Sequence, residues 1–154
     1  MLKIVPASAQ DLGDVRILFG EYAGLVAEAL CFQNFDQEMA ALPGSYAPPD
    51  GALLIARDGG NAGGCVAMRR LDDRRCEMKR MYVRSSHRGS GLGRRLALAI
   101  IEEARSRGYA LMYLDTLPKL TTAIALYRTL GFHECAPYLA APTPGALCFE
   151  LRIS

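Results

Sequence analysis

The sequence lacks the cysteine pattern of a disulfide framework or a zinc site. Its 154 residues include five cysteines, an odd number, and no two of them form a Cys-x-x-Cys pair. Disulfide-stapled domains and zinc sites need paired or regularly spaced cysteines. We therefore expect no metal and a reducing compartment, for which the cytoplasm is the simplest setting.

Long apolar runs and a surplus of charge of one sign are absent too. No segment approaches the roughly 18 continuous apolar residues of a membrane span. Asp11 and Asp14 precede any long apolar stretch, so we expect no signal peptide. The 18 Lys and Arg against 16 Asp and Glu give a net charge of +2, which provides no general reason to expect a nucleic-acid or membrane partner. A content of 51% hydrophobic residues excludes global disorder.

The hydrophobic pattern changes repeatedly between the period of a strand and that of a helix. Ser8 and Asp11 form a capping-box motif, and helical spacing then continues to Leu30. Short apolar runs predict strands over 2–5, 52–56, 64–68, Arg75–Val83, 110–115 and 147–153, and helical spacing predicts further helices over 36–42, 92–107 and 120–130. With no repeat or linker, the sequence predicts one mixed α/β domain over residues 1–154, as a monomer or homodimer.

One segment between a predicted strand and a predicted helix is strongly basic. Residues 79–95 hold six Lys or Arg and no Asp or Glu. Gly89, Gly91 and Gly93 allow backbone N–H groups to approach a ligand closely, and the helix N-terminus adds about half a positive charge. This combination is typical of a phosphate or pyrophosphate site. A glycine-rich turn with solvated arginines is the alternative interpretation.

Two common phosphate loops fit this segment poorly. A Walker loop needs a Lys-Ser or Lys-Thr pair, and the sequence has none. A Rossmann fingerprint that starts at Gly89 and Gly91 has Arg94 where its third glycine belongs. Asp115, which lies 26 residues after Gly89, is near the position of a ribose-binding acid. A Rossmann-like nucleotide-binding protein therefore stays open as an alternative.

A third loop pattern fits position for position. Arg88, Gly91 and Gly93 match [RQ]-x-x-G-x-[GA], which resembles the pyrophosphate loop of the GNAT superfamily of acyl-CoA-dependent N-acyltransferases. The stretch from Ala123 through Tyr127 to Gly131-Phe132 is similar to that family's A-x-x-x-Y-x-x-x-G-F segment, and the order of elements is similar over nearly the whole chain. Many members carry Asn seven residues before the tyrosine. Here that residue is Leu120, so the contact of that Asn to the cofactor is not carried over.

The resemblance implies both a fold and a cofactor position. The implied fold is a central mixed, largely antiparallel sheet flanked by helices, whose central parallel strands splay apart around acetyl-CoA as co-substrate. The strand end before the loop pairs with the pantetheine arm, and the loop takes the pyrophosphate. The residues implied for cofactor binding are Met81, Tyr82, Val83, Arg88, Gly89, Ser90, Gly91, Leu92, Gly93, Arg94 and Ala123.

The implied reaction is the direct attack of a primary amine on the thioester in a ternary complex. An alkyl amine has a pKa of about 10.4, so a base must take its proton at neutral pH. The resemblance points to Glu77 as that base and to Tyr127 as the acid for the departing thiolate, with Asp115 as the second candidate base. Each residue also has a structural interpretation. Glu77 could be a charged residue on a half-exposed strand, Tyr127 a packed aromatic on a helix, and Asp115 a cap at a strand end. Covalent catalysis by Cys76 is disfavoured, because no histidine lies near it in the sequence.

The acceptor amine is the least readable part of the prediction. The family builds its acceptor pocket from the first helices and the closing strands, which here implicates aromatic and amide side chains. These suit a small polar amine, an amino acid or a peptide N-terminus equally well. A non-catalytic acyl-CoA-binding sensor or interaction domain is a further alternative, which the presence of both Glu77 and Tyr127 disfavours. The candidate substrate-binding residues are Phe32, Gln33, Phe35, Tyr46, Asp115 and Tyr138.

Overall fold

A computed structural model of the chain describes residues 1–30 and 34–154, except for the side chains of residues 27–30. Helices pack on both faces of one sheet. In the described part of the chain, the strands are β1 (Leu2–Pro6), β2 (Ala52–Asp58), β3 (Asn61–Arg70), β4 (Arg75–Val83), β5 (Leu111–Thr116), β6 (His133–Cys135) and β7 (Leu147–Arg152). The α-helices there are α1 (Leu12–Leu30), α2 (Phe35–Ala41), α3 (Leu92–Ser106) and α4 (Thr121–Thr129).

The sheet is antiparallel on both sides of one parallel step. The strand order is β1-β2-β3-β4-β5-β7-β6, and β4 and β5 are the parallel neighbours among the described strands. The predicted mixed, largely antiparallel sheet with parallel central strands is thereby confirmed. The Rossmann-like alternative is wrong, because that fold needs a mostly parallel sheet built from repeated βαβ units.

The predicted elements are confirmed with small differences at their ends. β2 and β3 extend beyond the predicted apolar runs into a turn at Gly59, whose φ is +63°. Their polar ends carry no hydrophobic signal, because hydrogen bonding to a neighbouring strand rather than burial makes them part of the sheet. The sequence does not predict β6 as a separate strand, because three residues are too few to show a hydrophobic period.

Two cores form, one on each face of the sheet. The α3 and α4 side buries residues such as Leu96, Ile100 and Met112, while the α1 side buries residues such as Leu18 and Ile55. Because successive strand residues point to opposite faces, β4 directs its even-numbered and odd-numbered side chains to different cores up to Lys79. This alternation decides which chemical groups of β4 share a side.

A β-bulge interrupts the alternation at Arg80. Arg80 has a φ of +58°, and the pairing with β3 shifts there, since Cys65 lies opposite Tyr82 and Ala67 lies opposite Lys79. The extra residue in β4 resets the pleat. As a result Met81 packs against the α3 and α4 core, and Tyr82 packs against the α1 core.

Candidate active site

A cleft opens where the two parallel strands separate. β4 and β5 are paired through Arg75–Leu111, Cys76–Met112 and Glu77–Tyr113, and after this point the described residues show no strand paired with that edge of β4. The cleft is lined by β4, β5, α1 and α4, and its walls include Met81, Asp115, Ala123 and Tyr127. An unpaired strand edge offers backbone N–H and C=O groups to an extended ligand.

The glycine-rich loop joins the end of β4 to the start of α3. Gly89 and Gly91 have φ values of +79° and +82°, a region that side chains disfavour, and both glycines are exposed. The Arg95 N–H donates to the Gly91 carbonyl at 3.1 Å. The N–H groups before Arg95 in the first turn have no acceptor within the helix and point outward. The loop therefore presents the geometry of an anion site at a helix N-terminus.

Exposed arginines surround this loop. Arg88, Arg94 and Arg95 are all exposed. The Arg88 Nε donates to the Val83 carbonyl at 3.1 Å, which draws this side chain toward the end of β4. Arg94 Nη1 lies 3.4 Å from Thr129 Oγ1 on α4. Arg88 and Arg94 thus lie beside elements that line the cleft, where phosphate groups of a bound nucleotide would gain from them. Arg95 instead donates from Nη2 to the Leu2 carbonyl on β1 at 3.3 Å.

The other basic residues of the segment are buried or form ion pairs within the fold. Arg80 donates from Nε and Nη2 to both carboxylate oxygens of Glu38, each at 2.8 Å, and Arg84 Nη2 lies 2.6 Å from Glu21 Oε2. Lys79 is buried. The charge of +6 in residues 79–95 is therefore not all available to a ligand. Carboxylates from α1 and α2, distant in the sequence, neutralise two of them.

Glu77 lies fully buried beside the point of separation. Its Oε1 accepts a hydrogen bond from Arg69 Nε at 2.6 Å, and its Oε2 accepts one from the Tyr138 hydroxyl at 2.5 Å. Arg69 is its cross-strand neighbour on β3. Burial, together with the Glu77 charge, raises the pKa of Tyr138. Glu77 thus fixes the loop that carries Tyr138 to the sheet.

Asp115 on β5 and Lys79 on β4 both line the cleft, so each of the two diverging strands contributes one ionisable group. Burial raises the pKa of Asp115, and the Lys79 charge and a hydrogen bond from Thr143 act in the opposite direction. Burial likewise lowers the pKa of Lys79, and the Glu77 charge opposes that shift. Ionisable groups whose pKa values are shifted by burial in a cleft are candidates for proton transfer.

Tyr127 closes the α4 side of the cleft. Its side chain is 6% exposed, and its ring meets that of Phe132 edge-on with centroids 5.8 Å apart. Burial raises the pKa of Tyr127, so the hydroxyl stays protonated. Cys76 lies nearby but on the buried α3 side of β4, and burial raises the pKa of its thiol to about 12. This thiol is therefore a poor nucleophile at neutral pH.

The candidate acceptor residues that the structure describes lie on the α1 and α2 side of the sheet. The Arg80 guanidinium sits 5.3 Å from the centre of the Phe35 ring, and Tyr46 is 2% exposed. Tyr138 lies above the sheet, in contact with Glu77. The predicted residues Phe32 and Gln33 lie outside the described part of the chain.

Arg69 is the functional candidate that sequence reasoning missed. A signal for it was available, because a β3–β4 hairpin that turns around Asp73 places residues 69 and 77 opposite each other, as the structure has them. Such a cross-strand Arg–Glu pair is favoured in an antiparallel ladder. No comparable signal in the sequence predicts the contacts of Arg80 with Glu38 on α2.

Two features of the described residues bear on ligand classes. Within residues 1–30 and 34–154, no group of three or more His, Cys, Asp or Glu side chains is placed to hold a metal ion. In the same ranges, every helix is too short or too polar to cross a membrane.

Comparisons with known proteins agree with this geometry. The sequence pattern of the acetyltransferase (GNAT) family matches residues 22–132. An uncharacterised N-acetyltransferase of Schizosaccharomyces pombe is 42% identical over 147 residues, which cover 94% of this chain and 90% of that protein. In fold, the chain resembles an acetyltransferase of the GNAT family from Staphylococcus aureus Mu50, with a TM-score of 0.85 at 16% identity over 100% of both chains.

A structure that contains the co-substrate is also similar in fold. The structure of yncA from Salmonella typhimurium with its cofactor acetyl-CoA has a TM-score of 0.72 at 21% identity and covers 100% of this chain and 95% of that one. The exposed helix N-terminus and the unpaired edge of β4 are the features that fit such a co-substrate here. The chain belongs to the GNAT acetyltransferase family and is an acetyl-CoA-dependent N-acetyltransferase.

Proposed function

We propose that the enzyme acetylates the primary amine of a small molecule, amino acid or peptide by direct attack on acetyl-CoA, with both substrates bound. The observation that carries the proposal is that one cleft holds a carboxyl group, Asp115, and a protonated phenol, Tyr127. Amide formation needs both a proton acceptor for the amine and a proton donor for the departing sulfur. Cys76 supports direct transfer over a covalent route, because its thiol is buried and hard to ionise.

The proposed position of the co-substrate follows the strand edge and the loop. The backbone groups of Met81, Tyr82 and Val83 lie on the edge of β4 past the paired region, where an extended pantetheine arm can bond as an added strand. The loop residues 88–94 would then receive the pyrophosphate on their outward N–H groups. Ala123 is suited to close approach, because its small side chain lines the cleft on α4.

We assign the role of base to Asp115. Both Glu77 and Asp115 are candidates from the sequence, but Glu77 is fully buried with each carboxylate oxygen already accepting a hydrogen bond. Asp115 lines the cleft, and burial raises its pKa above the ordinary value of 3.8, which makes its carboxylate a stronger base. Glu77 then acts through its contacts, by holding Arg69 and Tyr138 in place.

Tyr127 is the proposed acid. As the amine nitrogen bonds to the acetyl carbon and its proton passes to Asp115, the carbon–sulfur bond breaks and the electron pair stays on sulfur. The Tyr127 hydroxyl donates a hydrogen bond and then its proton to that sulfur. Burial raises the pKa of Tyr127, and the same environment raises the pKa of the departing thiol, so burial alone does not prevent the transfer.

The first test measures free thiol release from acetyl-CoA across a panel of primary amines, for the wild type, Asp115→Asn and Glu77→Gln. Because only ionised Asp115 accepts a proton, wild-type turnover should fall as the pH drops through its raised pKa, at a pH above the ordinary value of 3.8. Asp115→Asn should lower turnover about 100-fold and remove this acidic limb. Glu77→Gln should keep it.

The opposite pattern assigns the base to Glu77. In that case Glu77→Gln flattens the acidic limb while Asp115→Asn retains it. Calorimetric binding of acetyl-CoA to each variant is the control for folding, because neither side chain belongs to the loop or to the unpaired Met81–Val83 part of β4. A protein that binds acetyl-CoA and releases no thiol with any amine would rule out the proposed reaction.

A further inference from the structure

A second cavity lies on the α1 and α2 side of the sheet, beside the cleft. It has a volume of about 260 Å3, just below the roughly 300–1,000 Å3 of typical small-molecule sites. Lys79 lines both spaces, and Thr143, which lines the cavity, bonds to Asp115 of the cleft. A small molecule in this cavity therefore has one end next to Asp115.

Arg69 gives the cavity a carboxylate-binding group. It lines the cavity with a side chain that is 33% exposed, and its Nε is committed to Glu77 at 2.6 Å. Within residues 1–30 and 34–154, its two Nη nitrogens have no hydrogen-bond acceptor, and they are not sealed from solvent. The paired N–H groups of a guanidinium match the two oxygens of a carboxylate.

The acidic groups around the cavity are already paired. Glu38 lines it, but both of its oxygens accept N–H bonds from Arg80, whose side chain is 2% exposed. Glu77 lies behind Arg69 and is fully buried. Asp115 lies in the adjoining cleft, where it accepts a hydrogen bond from Thr143. The member of the Arg69–Glu77 pair that lines the cavity is therefore the positively charged Arg69, and Lys79 lines the cavity as well.

We propose that the acceptor is a small amine that carries a carboxylate, such as a free amino acid. Arg69 binds the carboxylate, and the amine reaches toward Asp115 and the thioester. The inference rests on the acetyl transfer proposed above and adds the substrate class. A peptide N-terminus fits less well, because its first residue has no α-carboxylate and the cavity is small.

The test compares free amino acids with their C-terminal amides as acceptors for the wild type. Each pair offers the same side chain and amine with and without the carboxylate. The amide has more unprotonated amine at neutral pH, because a neighbouring carboxylate raises the pKa of an ammonium group. Intrinsic reactivity thus favours the amide, and a higher kcat/KM for the acid would report recognition of the carboxylate.

Arg69→Gln provides the matched variant, with Arg70→Gln as its control. Arg70 is the next residue of β3, is exposed and pairs with Asp73 away from the cavity. We expect Arg69→Gln to lower the acid-to-amide ratio of kcat/KM about 10- to 100-fold, the usual contribution of hydrogen bonds to a charged group. Arg70→Gln should keep the wild-type ratio. A loss of Glu77 positioning alone would lower both rates and leave the ratio unchanged.

Three results would overturn the inference. The first is a wild type that acetylates amides as well as acids, and the second is an Arg69→Gln variant that keeps the preference for acids. The third is thiol release with other amines but with neither member of any pair, which leaves the proposed reaction intact. If no amine gives thiol release although acetyl-CoA binds, the proposed reaction itself has failed.

Discussion

At the scale of single residues, Tyr127 offers the most direct test of the acid. Tyr127→Phe removes one oxygen and keeps the ring that packs on Phe132. We expect turnover to fall about 100-fold, because the departing sulfur loses its proton donor, with the affinity for acetyl-CoA nearly unchanged. The measurement is thiol release at saturating substrates together with calorimetric binding.

Tyr109→Phe is the matched control for this change. Tyr109 is buried to a similar degree, but its hydroxyl donates to the Asp50 carbonyl at 2.8 Å and does not line the cleft. This control should retain turnover apart from a small loss of stability. Equal activity of Tyr127→Phe and the wild type would assign Tyr127 to packing alone.

The positions of residues in local motifs could be predicted, and their roles stay predictions. Gly91 and Tyr127 stand in short patterns that specify their neighbours, and the structure places both at the cleft or its loop. The pairings of Arg80 and Arg84 could not be predicted, because their partners Glu38 and Glu21 lie 42 and 63 residues away. Charge counting along the chain has no access to such pairings, which depend on how α1 and α2 pack on the sheet.

At the scale of elements, the two glycines at the junction between the loop and α3 differ in what a side chain would cost. Gly93 has ordinary helical geometry, and an added Cβ would lie 3.5 Å from Leu126 and 3.8 Å from Val83, which is normal contact. Gly93→Ala should therefore leave the melting temperature unchanged or slightly higher, since alanine favours a helix over glycine. It should leave the affinity for acetyl-CoA nearly unchanged, because the loop pattern that Gly93 matches accepts alanine at this position.

Gly91→Ala is the companion change. With a φ of +82° at this position, alanine costs about 1–2 kcal/mol in the folded state. We expect both the melting temperature and the affinity to fall. Calorimetry and thermal unfolding measure the two quantities for each variant. If Gly91→Ala binds acetyl-CoA like the wild type, the backbone at the start of α3 does not hold the phosphates.

Elements with strong periodicity were predicted well, and irregular ones were not. β4 was predicted with its observed bounds, since the turn before it and the loop after it both have clear signals. The bulge at Arg80 has no such signal, because arginine gives no hint of a positive φ. Yet the bulge decides that Met81 faces the α3 core and that Arg80 reaches α2. The shape of the cleft therefore depends on a feature that the hydrophobic pattern does not encode.

At the scale of the whole molecule, the net charge of +2 conceals an uneven distribution. The exposed arginines 88 and 94 lie beside the loop, while Arg95 donates to the Leu2 carbonyl on β1 and other basic residues of the same segment pair with acids inside the fold. Such an arrangement attracts a compact, multiply charged anion without making the whole surface basic. It favours a nucleotide cofactor over the extended backbone of a nucleic acid.

This distribution predicts a salt-dependent affinity for coenzyme A. Interactions between exposed charges are screened as the Debye length falls from about 8 Å at 0.15 M to about 3 Å at 1 M salt. We expect calorimetry to show affinity for coenzyme A falling about tenfold over this range, while affinity for acetyl-pantetheine, which lacks phosphates, stays level. Arg88→Ala should reduce the salt dependence, and Arg105→Ala, at the far end of α3 and paired with Glu102, should not. Equal salt dependence for the two ligands would mean that the arginines do not contact the phosphates.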